Sequence, residues 1–600
     1  MPVPSRTRAA LAAATAAVVA GGLLTAGPAE ARARATEKVP TAVGRGGAVA
    51  TVDPEATRAG LRVLRRGGNA VDAAVAAAAT LGVTEPYSAG IGGGGFFVYY
   101  DARSRKVRTI DGRETAPLAT TADTYRGIPF AEAVTSGLSV GVPGTPATWQ
   151  KALRRWGTMP LRRALRPATR VATRGFVVDE TFRDQTASNE ARFRDIVPTR
   201  ELFLPGGDLP AVGSVFRNRD LARTYRKMGR KGVRWLYDGR LAREIVRTVA
   251  DPPVDPAATR TVRPGLMTAR DLARYHAPKR RPTSVGYRGL TVKGMAPPSS
   301  GGSTVGEALN ILENTDLAAT WRTDRTQAHH QYLEASALAF ADRGRYLGDP
   351  RAMEPGVLRQ ILSQPFADER FCEINPLQAA PKPVAAGTAD GSYDTDCDGT
   401  DDTTRPPTAG REGLSTTHLT TADRWGNVVS YTLTIEQTGG SAITVPNRGF
   451  LLNNELTDFS LDPAAGDPNA PGPGKRPRSS MSPTIVLDGK RPVLALGSPG
   501  GSTIITTVLQ VLLNRLDFGM TLPEAVAAPR ATQRNTASVL AEPGFDRTLL
   551  STVLGHSFAD TAEIGAVTGI ELGRRGRMLA AAEPTRRGGG SAGVVVPRRR

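Results

Sequence analysis

Gly413-Leu414-Ser415-Thr416-Thr417-His418-Leu419-Thr420 opens a stretch that continues through Glu436 and decides how the rest of the chain is read. Residues 416–421 and 427–436 are β-branched and apolar runs, and Asp423-Arg424-Trp425-Gly426 between them is a turn signal, so the stretch reads as a β-hairpin. Folded about Trp425, it sets Thr416 opposite Thr434. The two-residue period of a strand then puts Thr432, Thr434 and Glu436 on one face and Val429, Tyr431, Leu433 and Ile435 on the other. A second hydroxyl and a carboxylate thus stand on the face of Thr416. A threonine hydroxyl is a poor nucleophile at its own pKa, but a cut before Thr416 would add a free α-amine of pKa about 7.7–8 as a built-in base. Without context the same residues also make an ordinary Thr-rich strand pair, because threonine is common in strands.

Working outward, Glu455 and Asp458 fall in a turn after a strand end at 449–454, and Ser479-Ser480-Met481-Ser482 precedes a strand at 484–487. Asp488-Gly489 turns into a strand at 493–496. Pro499-Gly500-Gly501-Ser502 leads into a helix whose Ile504, Ile505, Val508, Leu509, Leu512 and Leu513 form one apolar stripe. Glycine amides at a helix start can face a developing oxyanion, although such a turn also serves geometry alone. On the other side, residues 377–413 are irregular. Asp394, Asp396, Asp398, Gly399, Asp401 and Asp402 resemble the front of a calcium loop, but Arg405 stands where the closing bidentate Glu belongs. A solvated, protease-accessible linker is the better reading, and a flexible segment before Thr416 suits a chain cut there.

Further upstream, Asp53-Pro54-Glu55 starts a helix that ends at Gly67-Gly68, and an Ala/Val-rich helix follows from Asn69 to about Leu81. Gly90, Gly92 and Gly95 satisfy GxGxxG, but they follow a helix and precede a strand, the reverse of the dinucleotide arrangement. Residues 161–248 read as helical and Arg-rich, a solvated face. Pro297-Pro298-Ser299-Ser300-Gly301-Gly302 caps a helix from about 303 to 313, and a helix near 328–343 carries His329 and His330. Neighbouring positions on a helix point about 100° apart, so these two histidines cannot share a metal as an i,i+4 pair does, and they read as structural.

The 600 residues are 40% hydrophobic and 22% charged, a globular composition. A net charge of +20 favours anionic partners, while only 6% aromatic residues weakens a base-stacking, nucleic-acid reading. Arg6 and Arg8, an apolar run from Ala9 to Ala26 and the small-x-small site Ala29-Glu30-Ala31 make residues 1–31 a secretory signal peptide, with an uncleaved anchor helix as the alternative. The leader carries no twin-arginine pair and no lipoprotein cysteine. Cys372 and Cys397, the two cysteines, would form one local disulfide in an exported protein or remain two thiols.

Gly67-Gly68-Asn69-Ala70-Val71-Asp72, the Gly90–Gly95 loop, Asp111-Gly112-Arg113-Glu114, the Pro297–Gly302 run, Thr416-Thr417-His418, Leu452-Asn453-Asn454, Ser479–Thr484 and Pro499-Gly500-Gly501, in this order, resemble the γ-glutamyltransferase family over about residues 42–590. The resemblance implies an α+β fold of the N-terminal-nucleophile hydrolase kind, an αββα sandwich of two antiparallel sheets between helical layers. It implies a precursor cut between Ser415 and Thr416 into a large subunit, 32–415, whose residues from about 377 are flexible before cleavage, and a small subunit, 416–600. By the same resemblance Thr416 attacks the γ-carbonyl of glutathione or a related γ-glutamyl compound, Thr434 orients it, and the Gly500 and Gly501 amides form the oxyanion hole. Arg113, helped by Ser479 and Ser480, would grip the substrate α-carboxylate. Glu436, Glu455 and Asp458 would hold its α-ammonium, with repulsion among these acids when the site is empty. No cofactor or metal is implied, and the product would be secreted or envelope-associated. Several relatives carry a longer lid where this chain has the short Pro/Gly/Ala segment 461–474, so an open site that admits bulky donors, poly-γ-glutamate among them, is expected. A glutaryl or cephalosporin acylase of the same fold and a silent secreted binding protein are the competing readings.

Overall fold

The computed structural model describes residues 36–397 and 415–596. The leader at 1–31, Asp398, Gly399, Asp401, Asp402 and Arg405 of the acidic run, and Gly413-Leu414 lie outside the described residues.

The hairpin forms from Thr417–Asp423 and Val428–Thr434, antiparallel, with Leu433 opposite Thr417. The Asp423 carboxylate closes its turn by accepting the amides of Trp425 at 2.9 Å and Asn427 at 3.0 Å. It also accepts the Ala70 amide at 2.9 Å, which ties the start of the helix Ala70–Thr84 to the hairpin turn. That helix is buried along its whole length, and its small side chains allow close approach to Val429, Tyr431 and Leu433 on the outer face of the hairpin. It runs three residues past the expected end at Leu81, to the residue before Glu85-Pro86, where a proline disfavours further helix.

The hairpin sits at the centre of a six-stranded antiparallel sheet, ordered Ser591–Val594, Gly47–Thr51, Thr417–Asp423, Val428–Thr434, Gly94–Asp101 and Lys106–Asp111. A seven-stranded antiparallel sheet faces it: Thr41–Gly44, Met578–Ala582, Thr568–Leu572, Arg491–Gly497, Thr484–Asp488, Leu290–Gly294 and Thr283–Tyr287. Polar bonds cross between the sheets, from Ser430 Oγ to the Leu496 carbonyl at 2.9 Å and from Thr420 Oγ1 to the Thr568 carbonyl at 3.3 Å. His418 lies in this seam between Thr432 Oγ1 at 2.8 Å and Thr420 Oγ1 at 3.1 Å, and burial pushes its pKa down to about 3, so it is neutral. Helices Gly301–Glu313, Arg325–Tyr346 and Thr503–Leu516 pack on the far face of the larger sheet, in one core with Ile485, Leu494 and Ile570. The result is α+β, helix–sheet–sheet–helix, two layers of strands covered on both sides.

Two expectations change. Glu436 does not reach its place by strand alternation: the strand ends at Thr434, and Glu436 takes a left-handed φ of 78°, a conformation that a non-glycine residue adopts only under surrounding constraint. The described part of the segment from about 377 is anchored rather than loose. Lys382 Nζ pairs with both oxygens of Glu334 at 2.9 and 2.8 Å, the Val384 amide donates to Asn535, the Gly387 amide donates to Asp342, and Cys372 and Cys397 form a disulfide. His330, read from the sequence as structural, has a partner that helix geometry alone does not suggest: His556, with Nδ1 and Nε2 2.8 Å apart.

Candidate active site

Thr416 closes the hairpin's open end, and its hydroxyl lies against the peptide that precedes it. Thr416 Oγ1 donates to the Ser415 carbonyl or, at 3.3 Å, to Thr434 Oγ1; its single proton serves one at a time. Thr434 Oγ1 donates to the same Ser415 carbonyl at 3.1 Å and accepts the Glu436 amide at 2.9 Å, so its hydroxyl is fixed by its neighbours. Ser415 Oγ is held by the Tyr87 carbonyl and by Ser88 Oγ, each at 3.0 Å. Arg587 donates from Nη1 to the Thr416 carbonyl at 2.6 Å and from Nη2 to Ser88 at 2.8 Å and Glu85 at 3.3 Å. The glycine loop at 90–95 packs behind this centre. A Cβ on Gly93 would stand 2.0 Å from the Thr434 carbonyl oxygen, so glycine there serves close backbone approach.

One small cavity gathers every residue expected from the sequence except Gly500, with Met481 and Ile504 added to its wall. Arg113 is fully buried at its edge. Its guanidinium pairs with Glu455 and, at 2.5 Å, with Asp458, and donates to the carbonyls of Pro477 at 3.1 Å and Arg478 at 2.7 Å. The repulsion expected among the acids is offset for two of them: Arg113 is the counter-ion of Glu455 and Asp458. Glu114, next to it, is also fully buried, and burial pushes its carboxyl up to about 8 against the opposing pull of Arg113.

Ser479 and Ser480 are positioned from a distance. The Pro297–Gly302 run lies beside them: the Ser300 amide and hydroxyl both donate to the Ser479 carbonyl, at 2.7 and 2.9 Å, and the Ser479 amide donates to Pro298 at 2.9 Å. Arg343 then bridges Ser300 Oγ at 2.8 Å and Ser480 Oγ at 2.9 Å. Asn453 joins the two halves of the floor, accepting the amides of Gly141 and Glu455 and donating to the carbonyls of Gly92 and Gly141. The short segment 461–474 is pinned by Asn469, which donates to the Asp458 carbonyl and accepts the Arg478 amide, each at 2.8 Å.

Gly500 and Gly501 have φ values of 134° and 58° at the start of the helix Thr503–Leu516, a backbone that only glycine adopts readily. Gly501 lines the small cavity, and Gly500 lines a second one of about 520 Å³ on its other side. Among the described residues, neither amide donates to a protein acceptor, as an oxyanion hole requires. Among the described residues one group has metal-ligand spacing: His330, Glu334 and His556, with ligand atoms within 4.8 Å. The Lys382 ammonium already neutralises Glu334 there, so the cluster is a satisfied charge pair beside two neutral imidazoles.

Sequence reasoning passed over Arg343 and Arg587, and quoted Asn453 and Glu114 only within motifs, without a role. The first three act across long stretches of chain. Glu114 was visible only as a neighbour of Arg113, and nothing local marks it as buried.

A family model described as "Gamma-glutamyltranspeptidase" matches residues 56–593. The chain is 37% identical over 568 residues to a "Glutathione hydrolase proenzyme" of Bacillus subtilis (strain 168), covering 93% of each chain. It is 35% identical over 557 residues to a protein of the same name from Escherichia coli (strain K12), covering 90% of each. Among solved structures, a cephalosporin acylase from Bacillus halodurans superposes with a TM-score of 0.80 at 29% identity, covering 94% of this chain and 98% of that one.

Proposed function

Since the chain belongs to the γ-glutamyltranspeptidase family, and is an enzyme of the glutathione hydrolase and γ-glutamyltransferase kind on an N-terminal-nucleophile αββα fold, we propose that Thr416 is its self-released nucleophile. In the uncut chain Thr416 Oγ1 attacks the Ser415 carbonyl carbon, and the Thr434 hydroxyl, 3.1 Å from the carbonyl oxygen, takes the developing negative charge. The C–N bond breaks as an ester forms, the Thr416 hydroxyl proton passes to the departing nitrogen, and water hydrolyses that ester. This leaves Thr416 with a free α-amine, residues 32–415 as the large subunit and 416–600 as the small one. The cavity of about 20 Å³ lined by Ser415 admits little more than a water molecule, so the precursor is closed to substrate until Ser415 departs.

In the mature enzyme the α-amine takes the Thr416 hydroxyl proton while Oγ1 attacks the γ-carbonyl of the donor. The oxyanion rests on the amides of Gly500 and Gly501. The amine departs carrying that proton, and water or an acceptor amine resolves the acyl-enzyme, so that a C–O or C–N bond forms as the bond to Oγ1 breaks. The observation that carries this reading is the presence of Arg113, Glu436, Glu455 and Asp458 in one cavity with Thr416. A zwitterionic glutamyl head exchanges partners with that set: its carboxylate, with Ser479 and Ser480 beside it, pairs with the guanidinium while its ammonium takes over acids that Arg113 releases, so each new charge meets an opposite one. Glutathione is the first donor to test, with poly-γ-glutamate as an extension, since the segment at 461–474 is short and pinned. Residues 1–31 would direct export to the cell exterior or envelope; among the described residues no helix is long and apolar enough to cross a membrane.

The test is intact-mass analysis of purified protein beside Thr416→Ala, followed by turnover of a γ-glutamyl anilide. Two subunits from the wild type and one uncut chain from the variant are expected. Active wild-type enzyme that remains a single polypeptide joined at Ser415 refutes the proposal. An acylase is the second reading, favoured by the superposition on the cephalosporin acylase. A glutaryl group has no ammonium for Glu436, Glu455 and Asp458 to hold, so faster cleavage of a glutaryl amide than of its γ-glutamyl counterpart would favour that reading.

A further inference from the structure

Several exposed helix arginines of this chain carry an acid one turn away: Arg194 pairs with Glu190, Arg223 with Asp220, Arg234 with Asp238 and Arg240 with Glu244. One group of arginines has no such acid. No Asp or Glu stands between Glu55 and Asp72, and none between Glu132 and Asp179. From these two acid-free stretches the fold brings five arginines to the wall of one cavity of about 230 Å³. Arg62 and Arg66 come from the end of the helix Pro54–Arg65, and Arg163, Arg166 and Arg170 from the helices Leu161–Ala164 and Arg166–Arg174. Spacings of three and four residues set each group on one helical face. No acid lines the cavity, and none of the five guanidiniums hydrogen-bonds to or ion-pairs with another described residue.

The floor beneath them is apolar and fixed. Val63 and Met159 are buried in one packed cluster, and Pro167 lies beside them in the wall. The Asp72 carboxylate accepts the amides of Thr158 at 3.0 Å and Met159 at 3.1 Å. A Cβ on Gly68 would stand 2.6 Å from Val63 Cγ1 and 2.8 Å from Met159 Cε, so the floor has no slack. Through Ala70 and Asp423 this region is tied to the turn end of the hairpin, about 20 Å along the strand from the open end at Thr416. Arg62 and Arg170 are half-buried over the floor, while Arg66, Arg163 and Arg166 are exposed at the rim. Burial, then the charges of Arg170 and Arg66, push the Arg62 guanidinium below its ordinary pKa; Glu55 opposes them but is itself paired with Arg58. Like charges gathered in this way repel one another until an anion is supplied from outside.

We propose that this cavity binds a phosphate group of two or more negative charges, a diphosphate or a phosphate monoester, with any organic part resting on Val63, Met159 and Pro167. A guanidinium fork matches phosphate oxygens, and a phosphate with three terminal oxygens accepts from several forks at once, whereas a lone carboxylate offers only two oxygens. The cavity is too small for a folded partner, and it stands apart from the Thr416 centre, so the proposal does not rest on the γ-glutamyl reading. A soluble phosphoanion and a phosphate headgroup of a lipid carry the same chemistry.

The experiment is calorimetric titration of the purified protein with inorganic diphosphate, and with succinate as a dicarboxylate control, at about 0.15 M salt to screen the diffuse charge of the chain. One saturable diphosphate site is expected, with succinate bound at least roughly 10-fold more weakly. The double variant Arg62→Gln/Arg170→Gln should lose roughly 10- to 100-fold in affinity, as two charge-assisted contacts go. Arg574→Gln/Arg575→Gln, which removes the same charge from an exposed turn elsewhere, should bind as the wild type does. The unfolding midpoint of the first variant should be unchanged or raised, because a repelling pair is gone, which separates lost binding from lost fold. Phosphatidylcholine vesicles with and without phosphatidic acid distinguish the sources. Binding to the phosphatidic acid vesicles, displaced by diphosphate, identifies a lipid headgroup, and diphosphate binding without vesicle binding identifies a soluble phosphoanion. No saturable diphosphate binding by the wild type overturns the proposal, and that arm needs no variant to fold. Equal affinity for succinate, or equal weakening in both double variants, overturns it as well.

Discussion

Replacing Thr434 by valine exchanges one hydroxyl for a methyl of nearly the same size and separates what Thr434 does from what it fills. In the uncut chain that hydroxyl is buried, donates to the Ser415 carbonyl at 3.1 Å, and accepts the Glu436 amide at 2.9 Å. If self-cleavage runs through a tetrahedral carbon at Ser415, the variant loses a donor aimed at its oxyanion, which costs about 2.7–4 kcal/mol of barrier, or roughly 10²–10³ in rate. The orphaned Glu436 amide adds about 1–3 kcal/mol, spent on folding stability and on the placement of Glu436. Freshly purified precursor incubated at constant temperature and sampled by intact mass gives the cleavage rate directly. Thr434→Val is expected to mature at least 100-fold more slowly, and Thr434→Ser, which keeps the hydroxyl, at close to the wild-type rate. A Thr434→Val chain that matures as fast as wild type, or a serine variant as slow as the valine one, would refute the reasoning.

Arg113→Lys should mature normally, because Arg113 contacts neither Ser415 nor Thr416, yet raise KM for γ-glutamyl donors by about 100-fold, since an ammonium cannot reproduce the forked contacts to Asp458, Glu455 and the Pro477 and Arg478 carbonyls; impaired cleavage with unchanged KM would contradict it. The Glu114 carboxyl is raised from 4.5 to about 8 chiefly by burial, so its contribution to stability is complete below pH 4.5 and is lost as pH rises through 8. Denaturant unfolding of wild type and Glu114→Gln should therefore diverge across that window by on the order of a few kcal/mol, with the wild type losing ground as pH rises; parallel curves would remove the basis for the claim. The Cys372–Cys397 bridge closes a loop with a sequence separation of 25, for which chain entropy gives about 3–4 kcal/mol. Replacing both cysteines by serine in the uncleavable Thr416→Ala background should lower unfolding stability by that order, and no change on reduction of the parent would count against the pairing.

The hairpin around Trp425 was legible because its evidence is local: alternating apolar residues, a turn cluster between them and a two-residue period that together set Thr416 against Thr434. The helix after Asn69 and the glycine turn before Thr503 were legible for the same reason, each marked by residues within a few positions of the feature they create. Alternation failed at Glu436, where the backbone leaves the strand and turns left-handed, because that turn is imposed by the packing around it rather than by the residue itself. The loose linker expected from residue 377 failed in its described part because its anchors, Glu334, Asp342 and Asn535, lie elsewhere in the chain.

By itself, then, the sequence determined the secondary elements around Thr416, the order of the motifs and, through that order, the kind of fold. Tertiary structure alone decided that Arg113 rests on Glu455 and Asp458, that Arg343 supports Ser480, and that Arg587 reaches the carbonyl of Thr416. Arg113 and Asp458 are 345 residues apart, and Arg587 and Thr416 are 171 apart. Periodicity and turn chemistry act over a few residues, whereas contacts at such separations exist only once two sheets and their covering helices have closed on one another.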